Sequence, residues 1–372
     1  VTVLRSERVA ALVLLAAAVV GLVLANSPLA PGVLDLQHTE LGPLSIGHWI
    51  SDGLLALFFF TAAVELKHEL IHGELNSISK ALRPAIAAVC GVAVPALLYL
   101  LVAGRDYPDG WPIPTATDIA FALGVLALFG RGVIPHRIRV FLLALAVIDD
   151  LIAIVLIAVF FTTELDVGAL VLSLVFVAAA ALLSRVGKRW VVPLVVLCAI
   201  GAWWFMLQSG VHATIAGVLV GLAISLRPAE RTRHILEPGI NGVVLPLFAL
   251  SAALVAIPQV GIAGLSTPFW GIVLALPVGK VVGIVFGGWI GTALDQRTRK
   301  PDISTLALFT VGALGGIGFT VSLLMNELAF ANADEVRAEG TLAVLIGSAV
   351  SIAASGVLVS LLARRFRARA AA

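Results

Sequence analysis

The sequence predicts an all-α polytopic membrane protein of twelve transmembrane helices, in which spans three to five and ten to twelve form inverted repeats. Three observations carry this. Of 372 residues, 60% are hydrophobic and only 12% are charged, and mean hydropathy is +1.09; a soluble domain carries about 25% charge. The chain also reads as a succession of apolar runs near the ~20 residues that cross a bilayer as a helix. Finally, one run in each half is interrupted by prolines or glycines, the pattern of transporters built from inverted repeats.

The runs fall at 8–26, 48–71, 82–104, 113–130, 137–162, 167–184, 190–207, 210–226, 238–257, 269–293, 304–328 and 341–363. The first lacks a small-residue cleavage site followed by a polar mature domain, so it is expected to be a true span rather than a signal peptide. Turn-rich connectors such as Asn26-Ser27-Pro28 and Pro228-Ala229-Glu230 separate the runs. The whole of 1–372 reads as one integral membrane domain, closed by a basic cytoplasmic tail at 364–372. Basic residues test this map. Of 24 Lys and Arg, Lys280 lies inside a span, and Arg105 and Arg337 fall in odd-numbered loops. The rest lie near the termini or in even-numbered loops; they include Lys67, Lys80 and Arg83; Arg131, Arg137 and Arg139; Arg185, Lys188 and Arg189; Arg227, Arg231 and Arg233; Arg297, Arg299 and Lys300; and the tail RRFRAR. The positive-inside rule then makes both termini cytoplasmic.

Few charges remain at membrane depth: Asp52 and Glu65 on span two, Asp118 on span four, Asp149 and Asp150 on span five, and Lys280 on span ten. Asp149, Asp150 and Lys280 lie near the middle of their spans. An ionisable residue at a helix centre costs roughly 2.5–3.5 kcal/mol on insertion scales. Pairing explains Lys280 with one aspartate, since a buried lysine needs a counter-ion. It leaves a surplus of carboxylates in low dielectric, which must bind protons or a cation. Adjacent carboxylates titrate as a coupled pair, so a site where protons and a small cation compete follows from the charges alone.

The interruptions add a second signal. At PTATDIAF (114–121), Pro114 and the preceding Pro112 come before the helix, and the hydroxyls of Thr115 and Thr117 can satisfy freed backbone groups. In GALGGIGFT, Gly312, Gly315, Gly316 and Gly318 crowd into span eleven. Small-residue packing would explain two such glycines; four in seven residues point to unwinding.

TATDIAFALGVLALFG, FLLALAVIDDLIAI, SGVHATIAG, GGIGFT and the early WISDGLLALFFFTAAVELKHEL, in this order, resemble the bacterial NhaA-type sodium/proton antiporters over nearly the whole chain. The resemblance implies that spans four and eleven are unwound where they cross, with Asp118 and Lys280 compensating the facing helix dipoles. It implies a cation site of Asp149, Asp150, Asp118 and Thr117, in which Asp150 is the leading ligand for Na+ or Li+. Asp149 is then either a second ligand or the partner of Lys280. It further implies electrogenic, pH-regulated exchange of two H+ per Na+ by alternating access, serving sodium and pH homeostasis in the bacterial inner membrane. The second proton belongs to Asp149 or to Lys280.

Other polar residues carry two readings. Glu65, Lys67, His68 and Glu69 end span two, as a solvated helix end or, with His234, as the pH-sensing funnel of the family. Asp52 is expected to face water, and His212 to be a hydrogen-bonded structural histidine. Two departures from the family pattern stand out: Arg233 replaces an acidic residue before His234, and Val281 replaces a proline after Lys280. Segment 33–49 is compact for the family's dimer-forming hairpin and predicts a weak homodimer or a monomer. Cys90 and Cys198 lie in apolar runs as packing residues, and the histidines lack metal-binding spacing. There is no phosphate-binding loop, dinucleotide fingerprint or nucleophile elbow. No enzyme activity, cofactor or nucleic-acid partner is expected. A solute symporter would need polar substrate groups that the midplane does not offer. An intramembrane aspartyl protease would need a Gly-x-Gly-Asp context that neither aspartate has.

Overall fold

Local chemistry sets where each apolar run starts and stops as a helix. The computed structural model describes residues 7–73, 76, 78–130, 133–162, 165–257, 264–294 and 303–371. Arg131, Arg297, Arg299 and Lys300, used above to orient the spans, and Ala372 of the expected tail lie outside the described residues.

Helix α1 (Glu7–Ala25) ends at Asn26-Ser27-Pro28 and turns by 112° into α2 (Ala30–His38). A two-residue hairpin follows: β1 (Glu40–Leu41) pairs antiparallel with β2 (Leu44–Ser45), and Gly42 makes the turn at φ +72°. Ser45 then caps α3 (Ile46–Ile71) by accepting from the His48 amide. After α4 (Ile78–Ala103) come two 3-10 turns, Pro108–Gly110 and Ile113–Thr115, and then α5 (Ile119–Gly130). Next are α6 (His136–Phe160), α7 (Val167–Ser184), α8 (Val192–Gln208) and α9 (Thr214–Ala223). The chain continues through α10 (Leu226–Ala252) and α11 (Thr267–Leu294). Finally, α12 (Thr305–Gly315), α13 (Phe319–Ala329) and α14 (Asp334–Ala371) complete the order.

A helix or helix pair stands at the place of each expected span. Among the described residues, eight helices are long and apolar enough to cross a membrane, or ten when each bent pair is one span; α8 and α9 are shorter apolar helices. Outward-facing leucines, valines and isoleucines, such as Leu172, Val175, Leu182, Val196, Leu197 and Ile200, are exposed as a lipid-facing surface requires. Two segments carry helix beyond the expected spans. Residues 227–237, expected as a connector, lie in the first half of α10, an amphipathic stretch whose Ala229 is buried. The basic tail from Arg364 continues α14 as helix through Ala371, consistent with its run of alanine and arginine.

Among the described residues, three helices widen locally into π turns, at Trp49–Leu54 in α3, Ile240–Val244 in α10 and Ala275–Gly279 in α11. Pro277 lies inside the last, and Pro246 follows the second. A proline lacks the amide that would close the regular ladder, so the turn expands to re-satisfy its carbonyls.

The chain divides into two compact units, each assembled from separated stretches. The first comprises Val1–Arg5, Val13–Gly73 and Ile154–Leu254; the second comprises Ser6–Leu12, Glu74–Ala153 and Val255–Ala372. Within the first, α9 packs on α3 through Gly221, where a Cβ would stand 2.7 Å from the Phe60 carbonyl oxygen. Within the second, α11 packs on α4 through Gly287, where a Cβ would meet Ile86 O and Ala87 Cα at 2.7 Å. Without a hydrophobic drive between helices in lipid, such close approach is what joins them.

Gly287→Leu is therefore expected to destabilise the protein by about 3 kcal/mol, the upper range for overpacking. Gly32→Ala, with no atom within 4 Å of the new Cβ, should leave the melting temperature unchanged or raised. Thermal unfolding in detergent compares the two; equal melting of Gly287→Leu and wild type would rule out this packing.

Candidate functional site

The site grows from two interruptions in the second unit. Pro112 and Pro114 confine the chain before α5 to 3-10 turns, and Ala116 is extended (φ −78°, ψ 156°), so α5 starts only at Ile119. Helix α12 ends at Gly315, α13 starts at Phe319, and the two axes differ by 48°. Both breaks expected from PTATDIAF and GALGGIGFT are thus present. The glycines serve them through space rather than torsion. Gly316 and Gly318 have ordinary negative φ (−73° and −93°). A Cβ on Gly316 would meet Ser351 Oγ at 2.7 Å and Leu276 O at 2.9 Å, and one on Gly318 would meet Leu276 Cδ2 at 2.8 Å. Gly315 faces Ile284 just as closely, and Gly312, inside α12, packs on the Val281 backbone.

The broken segments satisfy one another. The Asp118 amide donates to Ile317 O at 2.6 Å, and Ser322 Oγ donates to Ile113 O at 2.7 Å. The Asp118 carboxylate caps two helices at once. Oδ1 accepts from the Phe121 amide of α5 at 3.1 Å; Oδ2 accepts from the Thr320 amide of α13 at 3.2 Å and from Thr320 Oγ1 at 2.8 Å. A negative charge at two helix N-termini satisfies orphan amides and both dipoles. Thr320 was not singled out in the sequence; its place two residues after Gly318, on a new helix start, is the signal that could have found it.

Beside this crossing, Lys280 Nζ donates to Asp149 Oδ2 at 2.8 Å, and both side chains have no solvent exposure. Lys280 emerges where the π turn of α11 ends, and Asp149 lies within α6. Thr117 Oγ1 lies 2.7 Å from the same Oδ2 and 2.9 Å from the Gly315 carbonyl. Asp149 Oδ1 is buried without a hydrogen-bond partner. Asp150, the next residue of α6, is only half-buried, as the ~100° rotation between neighbours on a helix requires. The structure therefore joins Thr117, Asp149, Lys280 and Gly315, and turns the Asp118 carboxylate away to the helix ends. Among the described residues, no three His, Cys, Asp or Glu side chains are grouped to hold a metal ion.

The residues read as a funnel or solvated helix end belong to the first unit. Glu65 Oε2 pairs with Arg233 at 3.1 Å, and His68 Nδ1 pairs with Glu230 Oε1. Lys67 Nζ donates to Leu222 O at 2.7 Å and Ile224 O at 2.6 Å, capping the C-terminal end of α9. The end of α3 is thus bound to α9 and α10 rather than simply solvated. Glu69 is half-buried, and His234 is exposed and faces Glu237 of its own helix at 3.7 Å. Arg233, noted in the sequence as a departure, acquires a partner; Glu230 drew no attention because its pairing is tertiary. Asp52, expected near water, is buried and pairs with His212 Nε2 at 3.1 Å. His212 Nδ1 bonds Thr214 Oγ1 at 2.7 Å, so both ring nitrogens are engaged, as expected of a structural histidine.

A buried lysine paired with one of two oxygens of an aspartate is a poised arrangement. Removing either partner strands a charge, at about 3–5 kcal/mol, whereas removing both together is near neutral. Asp149→Asn and Lys280→Met should each lower the melting temperature of the purified protein, and the double variant should recover most of the loss. Additive losses in the double variant would show that the pair is not coupled.

The family model described as Na+/H+ antiporter 1 matches residues 1–359. The chain is 57% identical to the Na(+)/H(+) antiporter NhaA 2 of Clavibacter michiganensis subsp. michiganensis over 386 aligned positions, covering 100% of this chain and 94% of the relative. It is 42% identical to the Na(+)/H(+) antiporter NhaA of Tropheryma whipplei, covering 99% and 96% of the two chains. It is 43% identical to the Na(+)/H(+) antiporter NhaA 3 of Streptomyces coelicolor, covering 98% and 80%.

Proposed function

The chain belongs to the Na+/H+ antiporter 1 family, and from that premise we propose that it exports cytoplasmic Na+ or Li+ in exchange for external H+, two protons per cation, by alternating access. The observation that most supports this reading is the buried Asp149 Oδ1, left without a partner beside half-buried Asp150. Together with Thr117 Oγ1 these carboxylates supply the hard oxygen ligands that a small cation prefers. Asp150 is the leading ligand, because it keeps access to the aqueous path. Asp149 joins it as ligand or remains with Lys280, and one of these two carries the second proton. Asp118 has its oxygens engaged by helix amides, so its role is to compensate the helix ends rather than to bind the ion.

The exchange follows from charge. A cation entering the carboxylates displaces protons, and its release lets them return, so loaded forms hold one or the other. With two protons per Na+, each cycle moves one positive charge inward, and 100 mV supplies about 2.3 kcal/mol per charge. Sodium and pH homeostasis in a bacterial cytoplasmic membrane, with both termini inside, is the setting. Glu65, His68, Glu69 and His234, with their partners Arg233 and Glu230, form the element that reads cytoplasmic pH. The hairpin of segment 33–49 offers only two residues per strand, so any homodimer made through it is weak.

Everted membrane vesicles with an acidic lumen test the reading. NaCl added outside should release lumenal protons for wild type with no organic solute present, and Asp150→Asn should reduce the signal to background. Near-normal exchange by Asp150→Asn would refute the assigned site. In proteoliposomes, an imposed potential should drive Na+ movement at two-for-one stoichiometry; indifference to potential would point to one-for-one exchange.

A further inference from the structure

We infer that a buried water site lies where α14 meets the α12–α13 break and the π turn of α11, held by Ser351 Oγ, Ser348 Oγ and the Leu276 carbonyl. Ser348 and Ser351 are each 1% exposed, and among the described residues neither hydroxyl has a hydrogen-bond partner. The two stand three residues apart on one helix, which makes their side chains neighbours on one face. A buried hydroxyl with no bond forfeits its hydration for nothing in return, so each needs a partner that the side-chain packing does not supply.

The common local remedy is not taken here. A serine or threonine inside a helix can satisfy itself by donating to the carbonyl three or four residues back. Ser355 and Ser360 do so on this same helix, to Ile352 O at 3.0 Å and Gly356 O at 2.8 Å. Thr310 of α12 does so to Leu306 O at 2.7 Å. Ser351 instead aims out of α14: its Oγ lies 2.7 Å from the place a Cβ on Gly316 would take. Leu276 O lies 2.9 Å from that same place. The hydroxyl and the carbonyl are thus separated by no more than two hydrogen-bond lengths, the span that one bridging water covers.

Three such partners suit a water. Buried waters make about three hydrogen bonds, to polar groups otherwise unsatisfied. Each serine hydroxyl can donate or accept, and Leu276 O has two lone pairs, so a helical bond leaves it able to accept another. Ser348 is brought near by its neighbour Gly347, which lies against Leu276: a Cβ there would meet Leu276 Cβ at 3.2 Å and Pro277 Cδ at 3.7 Å. Two hydroxyls and a carbonyl bring no charge to offset that of an ion, so neutral water fits where a buried cation does not. The π turn ends at Lys280. The water therefore ties α14 to the segment that presents Lys280 while joining no side chain directly to another.

X-ray hydroxyl-radical footprinting of the purified full chain tests the site, because a bound water yields radicals in place and labels side chains that bulk solvent does not reach. Leu276 and Leu362 of α14 are both 0% exposed. In wild type, Leu276 should be oxidised several-fold faster than Leu362, and Ser351→Ala should bring Leu276 down to the Leu362 rate. Equal rates in wild type would overturn the inference without recourse to any variant, and fast labelling that survives Ser351→Ala would overturn it as well. Thermal melting gives a second readout. A Ser351 hydroxyl that holds a water loses that bond in Ser351→Ala, so the variant should melt lower. A higher melting temperature would show a hydroxyl with no partner at all and would sink the site. Neither measurement depends on transport, so failure of the exchange reading would show separately, as normal transport by Asp150→Asn.

Discussion

Two helices interrupted in a dry interior release backbone amides and carbonyls that water cannot satisfy, and the second unit is organised around that constraint. Each unsatisfied group in hydrocarbon costs several kcal/mol. The breaks before α5 and between α12 and α13 meet this by lying against each other, so that Ile317 O accepts the Asp118 amide and Asp118 caps both helix starts. The contact demands near-complete loss of side-chain volume on one strand of the crossing. Gly316 and Gly318 supply it, with Ser351 Oγ, Leu276 O and the Leu276 side chain filling the places where their Cβ atoms would be.

The second consequence is where charge can be stored. With Asp118 committed to helix ends, Lys280 needs another counter-ion and finds it in Asp149, both side chains fully buried. The pair uses one carboxylate oxygen and leaves the other without a partner. Stability alone would favour apolar residues of similar size. The proposed cation site rests on this pair and the half-buried Asp150 beside it. The pairs at the end of α3 are a different case: Glu65–Arg233 and His68–Glu230 are partly exposed, contribute little as single bonds, and are screened by salt.

Much of this was legible in the chain. The apolar runs, the alternating basic loops and the charges stranded at membrane depth follow from hydropathy and spacing. So do both breaks, since proline and glycine act locally on the backbone. The motif order identified the family that the match over 1–359 bears out. Less legible were the polar half of α10 and the helical tail, because a run of Arg, Glu and Ala has the composition of a connector and the propensity of a helix, and packing on α3 settled the first.

What the sequence by itself determined is which residues are too costly to leave unexplained: Asp118, Asp149, Asp150 and Lys280 in apolar runs, beside two interrupted helices. Only the tertiary structure decided how they are shared out. The pairing of Asp149 rather than Asp118 with Lys280, the capture of Asp118 by two helix N-termini, the burial of Asp52 against His212 and the reach of Thr117 to Gly315 all join residues distant in the chain. Hydropathy is a property of each segment and can be read along the chain. Partner choice depends on distances of about 3 Å between segments, and these exist only after the helices have packed.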